Sequence, residues 1–127
     1  MKKKHILLIE NDENEVEFFT DALEESNLNF LCSTARNSEQ AVIMLRNIMP
    51  DIIFFDVDIS KIAGVSLLKK IKKIQHLRKI PVIMYSNSSY EKTEINVSAN
   101  KAKNYLHLPD NVQTMASTLQ YLLYSSN

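Results

Sequence analysis

Glycine is almost missing from this chain: Gly64 is the only one in 127 residues. Proteins at large use about 7% glycine, so this single use marks a backbone turn that other residues would strain. Cysteine is as scarce. Cys32 stands alone, which excludes an internal disulfide framework, and its apolar neighbours read as the setting of a buried, reduced thiol in a cytoplasmic protein. Net charge is absent too, because fifteen basic and fifteen acidic residues cancel. Bulk charge therefore gives no ground for a nucleic-acid or anionic-membrane partner. No apolar run approaches the ~20 residues of a transmembrane helix. The basic start, "MKKKHILLIEND", has too short an apolar part for a signal peptide and runs into acids. His5, His76 and His107 lack metal-ligand spacing, which argues against zinc.

What is present fits one domain of ordinary globular composition, with 45% hydrophobic and 24% charged residues. No linker or effector domain is visible, so residues 1–127 are expected to form a single unit. The cancelled charge is unevenly spread. Residues 10–25 hold eight acids and no base, while residues 61–79 hold seven bases and no acid. Two solvated helix faces explain this, and so does a polarised surface that orients a protein partner or a second copy of the chain.

Five apolar segments have strand character: "HILLI" (5–9), "NFLCSTA" (29–35), "DIIFFD" (51–56), "IPVIMYS" (80–86) and "NYLHL" (104–108). Helical patterns alternate with them. Val16, Phe19, Ala22 and Leu23 share one face of an acidic helix from Asp12 to about Ser26. Asn37 or Ser38 can cap a second helix that carries Ala41, Met44, Leu45 and Ile48. A basic helix carries Val65, Leu67, Leu68, Ile71 and Ile74, a polar segment at 88–103 is read as helical, and a last helix runs from about Asp110 to Tyr124. Met44, Met84 and Met115 read as core filler. Alternating β and α elements whose strands are apolar throughout imply a parallel sheet with helices on both faces.

In open α/β sheets, ligands collect outside the carboxyl ends of the strands. Strand one ends in Glu10-Asn11-Asp12, strand three in Asp56-Val57-Asp58, strand four in Ser86-Asn87, and strand five in Leu108-Pro109. Carboxylates on adjacent strand ends repel unless a hard cation neutralises them, and Mg²⁺ suits a place where one or two carboxylates meet water and phosphate oxygens. A carboxylate beside such an ion can attack phosphorus to give an aspartyl-phosphate. Plainer roles remain open for several of these residues. Asn11 and Asp12 can serve as helix N-caps, Ser86 as a turn residue, and Tyr105 as a packing residue.

Taken together, "HILLIEND", "PDIIFFDVDISKIAG", "IPVIMYSNSS" and "NYLHLPDN" resemble the receiver domain of two-component response regulators, across essentially the whole chain. The resemblance implies a flavodoxin-like (βα)5 fold with strand order 2-1-3-4-5. It implies a role in phosphorelay signalling, with Asp56 as phosphoacceptor and output through protein contacts. The partners implied are a sensor histidine kinase or phosphotransfer protein and a downstream protein target, with a homodimer left open. The family's metal-binding acid pair falls on Glu10 and Asn11, and the backbone carbonyl offered to Mg²⁺ falls on Asp58. The hydroxyl that reaches the phosphoryl group falls on Ser86, and the switch aromatic on Tyr105.

Two positions depart from the family. Asn11 keeps a carbonyl oxygen but lacks the acid's charge. Leu108 stands where the family has a lysine that contacts the phosphoryl group, and leucine has no donor; a hydrogen bond to a charged group is worth roughly 1.5–3 kcal/mol. His107 does not replace that lysine, because neighbouring strand residues point to opposite faces. Ser60 replaces the proline usual after the phosphoacceptor. These departures keep a second reading in view, a degenerate receiver that serves as a docking module without phosphate. A third is enzymatic: "FFDVDIS" also looks like the D-x-D motif of haloacid-dehalogenase-type phosphatases, although that family begins with the motif and needs room for a cap domain.

Overall fold

The structure is a computed structural model and describes residues 3–56, 69–74, 76–86 and 105–125. The expected turn at Gly64, the backbone carbonyl of Asp58, the start of the basic helix and the helix at 88–103 lie outside the described residues. So does the side chain of Tyr105.

Five parallel strands form one sheet in the order β2-β1-β3-β4-β5. They are β1 (Lys4–Ile9), β2 (Phe30–Ala35), β3 (Ile52–Asp56), β4 (Val82–Ser86) and β5 (Tyr105–His107). The order and the parallel sense match the flavodoxin-like expectation. Every residue of β3 is buried, which is why "IIFFD" shows no polar alternation: helices cover both faces of a central parallel strand. Asp51 fixes where this strand starts. Its amide donates to the His5 carbonyl at 2.7 Å, and its carboxylate accepts from the His5 amide at 2.7 Å.

Period two divides the strand side chains between two cores. On one face Ile6, Leu8, Ile52, Phe54, Ile83, Tyr85 and Leu108 meet Phe19, Ala22 and Leu23 of helix α1 (Glu13–Glu25), and Met115, Leu119 and Leu123 of the C-terminal helix (Val112–Ser125). On the other face Leu7, Ile9, Ile53 and Phe55 meet Ala41 of helix α2 (Ser38–Met44), Leu45 beyond it, and Ile71, Leu77 and Ile80. Residues 69–73 are helical, as expected for the basic segment.

Local chemistry sets the helix ends. Asp12 caps α1 by accepting from the Asn14 amide at 2.8 Å. At the other end Asn27 takes the left-handed conformation (φ 59°), which asparagine tolerates better than most residues and which commonly ends helices. Asn37 caps α2 through the Gln40 amide, while the Gln40 side chain accepts from the Arg36 amide. Helix α2 stops at Met44, short of the apolar pattern that runs on to Ile48. The chain continues past it in turns closed on the Met44 carbonyl by the amides of Asn47 and Ile48, so the inward stripe survives without further helix. Two of the three methionines read as filler, Met84 and Met115, are fully buried, and Met44 is half-buried.

Candidate functional site

Glu10 and Asp56 follow from the same periodicity that builds the first core. Each lies an even number of residues beyond the apolar side chains of that face, Ile6 and Leu8 before Glu10, Ile52 and Phe54 before Asp56. Both carboxylates therefore belong to the face covered by α1 and the C-terminal helix. Both are buried, Glu10 at 1% and Asp56 at 6% exposure. Glu15 reaches the same point from α1. It lies one helical turn before Phe19, on the stripe that faces the sheet. Oxygens of Glu10, Glu15 and Asp56 all lie within 4.8 Å of one another. Like charges at that separation repel by roughly 3 kcal/mol a pair at an effective dielectric of about 20, so the cluster calls for compensating donors or a cation.

Part of that compensation is visible around Glu10. Its Oε2 accepts the backbone amides of Asn11 and Asp12, both at 3.0 Å. Its Oε1 accepts the Tyr85 hydroxyl at 2.6 Å. Tyr85 stands opposite Asp56 in the β3–β4 register and is fully buried, its ring 4.9 Å from that of Phe19. Burial first, then the charge of Glu10, its hydrogen bond, and the charges of Asp56 and Glu15, push the phenol's pKa far above its ordinary value. Tyr85 is thus a neutral donor held against an acidic cluster.

The remaining residues singled out in the sequence surround this point. Asn11 is exposed and lines a cavity of about 300 Å³ together with Glu10, Thr34, Arg36 and Gln40, on the β2 side. Ser86 is fully buried at the carboxyl end of β4, and its carbonyl accepts the Leu108 amide at 3.0 Å. Leu108 is 4% exposed and belongs to the core with Met115 and Leu119, while His107 beside it is exposed. Leu108 and Glu15 also line a second cavity of about 290 Å³ with Phe18 and Pro109. Glu15 and Tyr85 are the residues that sequence reasoning did not single out. Helical spacing from Phe19 and strand spacing from Ile83 carry the signal for each.

The chain matches the family described as "Response regulator receiver domain" over residues 6–120. Among curated proteins it is similar to the polar-differentiation response regulator DivK of Brucella anthropi, with 25% identity over 94% of this chain and 96% of that protein. The phosphorylated cyanobacterial phytochrome response regulator RcpA shares the fold, with a TM-score of 0.82 and 23% identity over 99% of this chain and 98% of that one. A signal receiver domain of a histidine kinase from Syntrophus aciditrophicus is 27% identical, covers 96% of this chain and 91% of its own, and superposes with a TM-score of 0.77.

Proposed function

The chain belongs to the response regulator receiver family, and from that premise we propose that it accepts a phosphoryl group on Asp56 and passes the signal on through protein contacts. The observation that carries this reading is the buried Asp56, delivered by the central strand into a cluster of oxygen ligands with Glu10 and Glu15. A carboxylate oxygen of Asp56 attacks phosphorus, the bond from phosphorus to its donor breaks, and the electron pair leaves with the donor. The donor is the phosphohistidine of a sensor kinase or phosphotransfer protein, and a downstream protein reads the product.

All-oxygen, carboxylate-rich surroundings fit Mg²⁺, which supplies charge neutralisation for the incoming phosphoryl oxygens when bound. On the family pattern Glu10, Asn11, Asp56 and the backbone carbonyl of Asp58 would hold it. Ser86, at the end of β4, is the hydroxyl assigned to the phosphoryl group, and Tyr105 the switch residue.

One observation favours a second reading, a receiver kept as a docking surface without phosphate. Leu108 is built into the apolar core, so the place of the family's lysine gives no donor to the phosphoryl group. Intact-mass measurement after incubation with Mg²⁺ and acetyl phosphate separates the two. One added phosphoryl group in the wild type, absent in Asp56→Asn, is the expected result. An unmodified wild type leaves the docking reading, and an adduct that persists in Asp56→Asn means that another residue is the acceptor. The phosphatase alternative fits less well, since Asp56 ends the third strand whereas that family begins with the motif.

A further inference from the structure

We propose that Glu15 supplies the second carboxylate for the divalent cation of this site, taking over from the loop position where Asn11 stands. The inference rests on the reading that the site holds Mg²⁺, and it concerns which residues of this chain hold it.

Three observations converge on Glu15. Oxygens of Glu15, Glu10 and Asp56 lie within 4.8 Å of one another. A carboxylate has about four acceptor sites, and three on Glu10 are already taken by the amides of Asn11 and Asp12 and by the Tyr85 hydroxyl. Glu10 alone is therefore a poor replacement for an acid pair. Asn11 lacks the charge of an acid, and it is exposed in the cavity that Glu10 also lines with Thr34, Arg36 and Gln40. Glu15 instead faces the β5 side, where Leu108 and Pro109 line the neighbouring cavity.

The geometry of α1 makes this relocation rigid. Asp12 caps the helix beside the site. Phe19, one turn past Glu15, locks between Phe54 and Tyr85 with ring centroids at 5.4 and 4.9 Å. A carboxylate between those two anchors is preorganised over the strand ends, and ligands held in that way need little reordering when a cation binds. Mg²⁺ requires only one or two carboxylates and keeps water in its other positions. Asp56 and Glu15 meet that requirement, and an oxygen of Glu10 lies within the same 4.8 Å.

The test is calorimetric titration with MgCl₂, repeated with Mn²⁺ followed by electron paramagnetic resonance, on wild type, Glu15→Gln, Glu15→Ala and the double variant Asn11→Asp/Glu15→Gln. Loss of the ligand should weaken binding by about tenfold or more, since even outer-shell changes weaken metal sites on that scale. Restoring an acid at position 11 should recover most of the loss, which a merely structural role for Glu15 does not predict. Wild-type affinity in a folded Glu15→Gln or Glu15→Ala overturns the proposal, as does a wild type that binds neither ion at millimolar concentration. Metal binding that depends on Glu15 without any phosphoryl adduct on Asp56 overturns the phosphoacceptor reading and leaves this one standing.

Discussion

A single hydroxyl separates Tyr85 from a phenylalanine, and that hydroxyl holds the most buried carboxylate of the site. Tyr85→Phe leaves Glu10 Oε1 without its 2.6 Å donor, a loss of roughly 1.5–3 kcal/mol for a bond to a charged group. The pH dependence has a definite sign. The folded-state pKa of Tyr85 is raised, so its contribution is fully present below the unfolded value near 10 and is lost as pH climbs above it, because only the unfolded chain ionises there. Urea midpoints of wild type and Tyr85→Phe should therefore differ clearly at pH 8 and converge above about pH 10. A constant gap across that range would mean that the hydroxyl titrates freely in the folded protein. Cys32 behaves in keeping with its half-buried place on β2. Burial raises its thiol pKa, against a smaller opposing hydrogen bond from Thr34, which keeps it a poor nucleophile.

At the scale of the element, α1 links the stability of the fold to the placing of the site. Its first turn is secured by Asp12, and its last by the Ser26 hydroxyl on the Leu23 carbonyl at 2.6 Å and by the Gln120 amide on the Ser26 carbonyl at 2.7 Å. The second of these ties α1 to the C-terminal helix. Asp12→Ala should cost about 1 kcal/mol in urea unfolding. It should also loosen the first turn, so that hydrogen exchange at Asn14 and Glu15 speeds up while that of Ala22 and Leu23 does not change. Uniform acceleration along the helix would show that the cap acts on the whole helix instead. The caps were legible in the sequence, since Asp12 and Asn37 precede apolar stripes at helical spacing. The early stop of α2 was not. Tertiary packing of Leu45 and Ile48 needs the stripe, and turns closed on the Met44 carbonyl provide it as well as helix does.

Across the whole molecule the zero net charge conceals an acidic α1 packed on one face of the sheet and a basic segment packed on the other through Ile71. Lys69, Lys70, Lys72 and Lys73 are all exposed around the buried Ile71. Reversing all four to glutamate should leave the thermal midpoint within a few degrees, because surface substitutions usually change stability by under about 0.5 kcal/mol each. The same change should abolish capture of a cognate kinase or downstream protein in a pull-down if that face docks. Unchanged capture would leave these lysines as the solvated side of a helix. Among the described residues no helix is long and apolar enough to cross a membrane.

The sequence by itself determined the strands, the two-sided burial of β3 and the delivery of Asp56 to a strand end. These follow from local periodicity, because apolar runs and capping residues act over a few positions. The resemblance to receiver domains also marks Asn11 and Leu108 as departures from that family's pattern. Only the tertiary structure decided what surrounds those breaks. Glu15 reads as one of eight acids on a solvated helix, and Tyr85 as one more apolar strand residue, until the sheet sets Tyr85 opposite Asp56 and α1 lays Glu15 over both. Charge and hydrogen bonding act through space between residues 75 positions apart, and no local pattern encodes that distance.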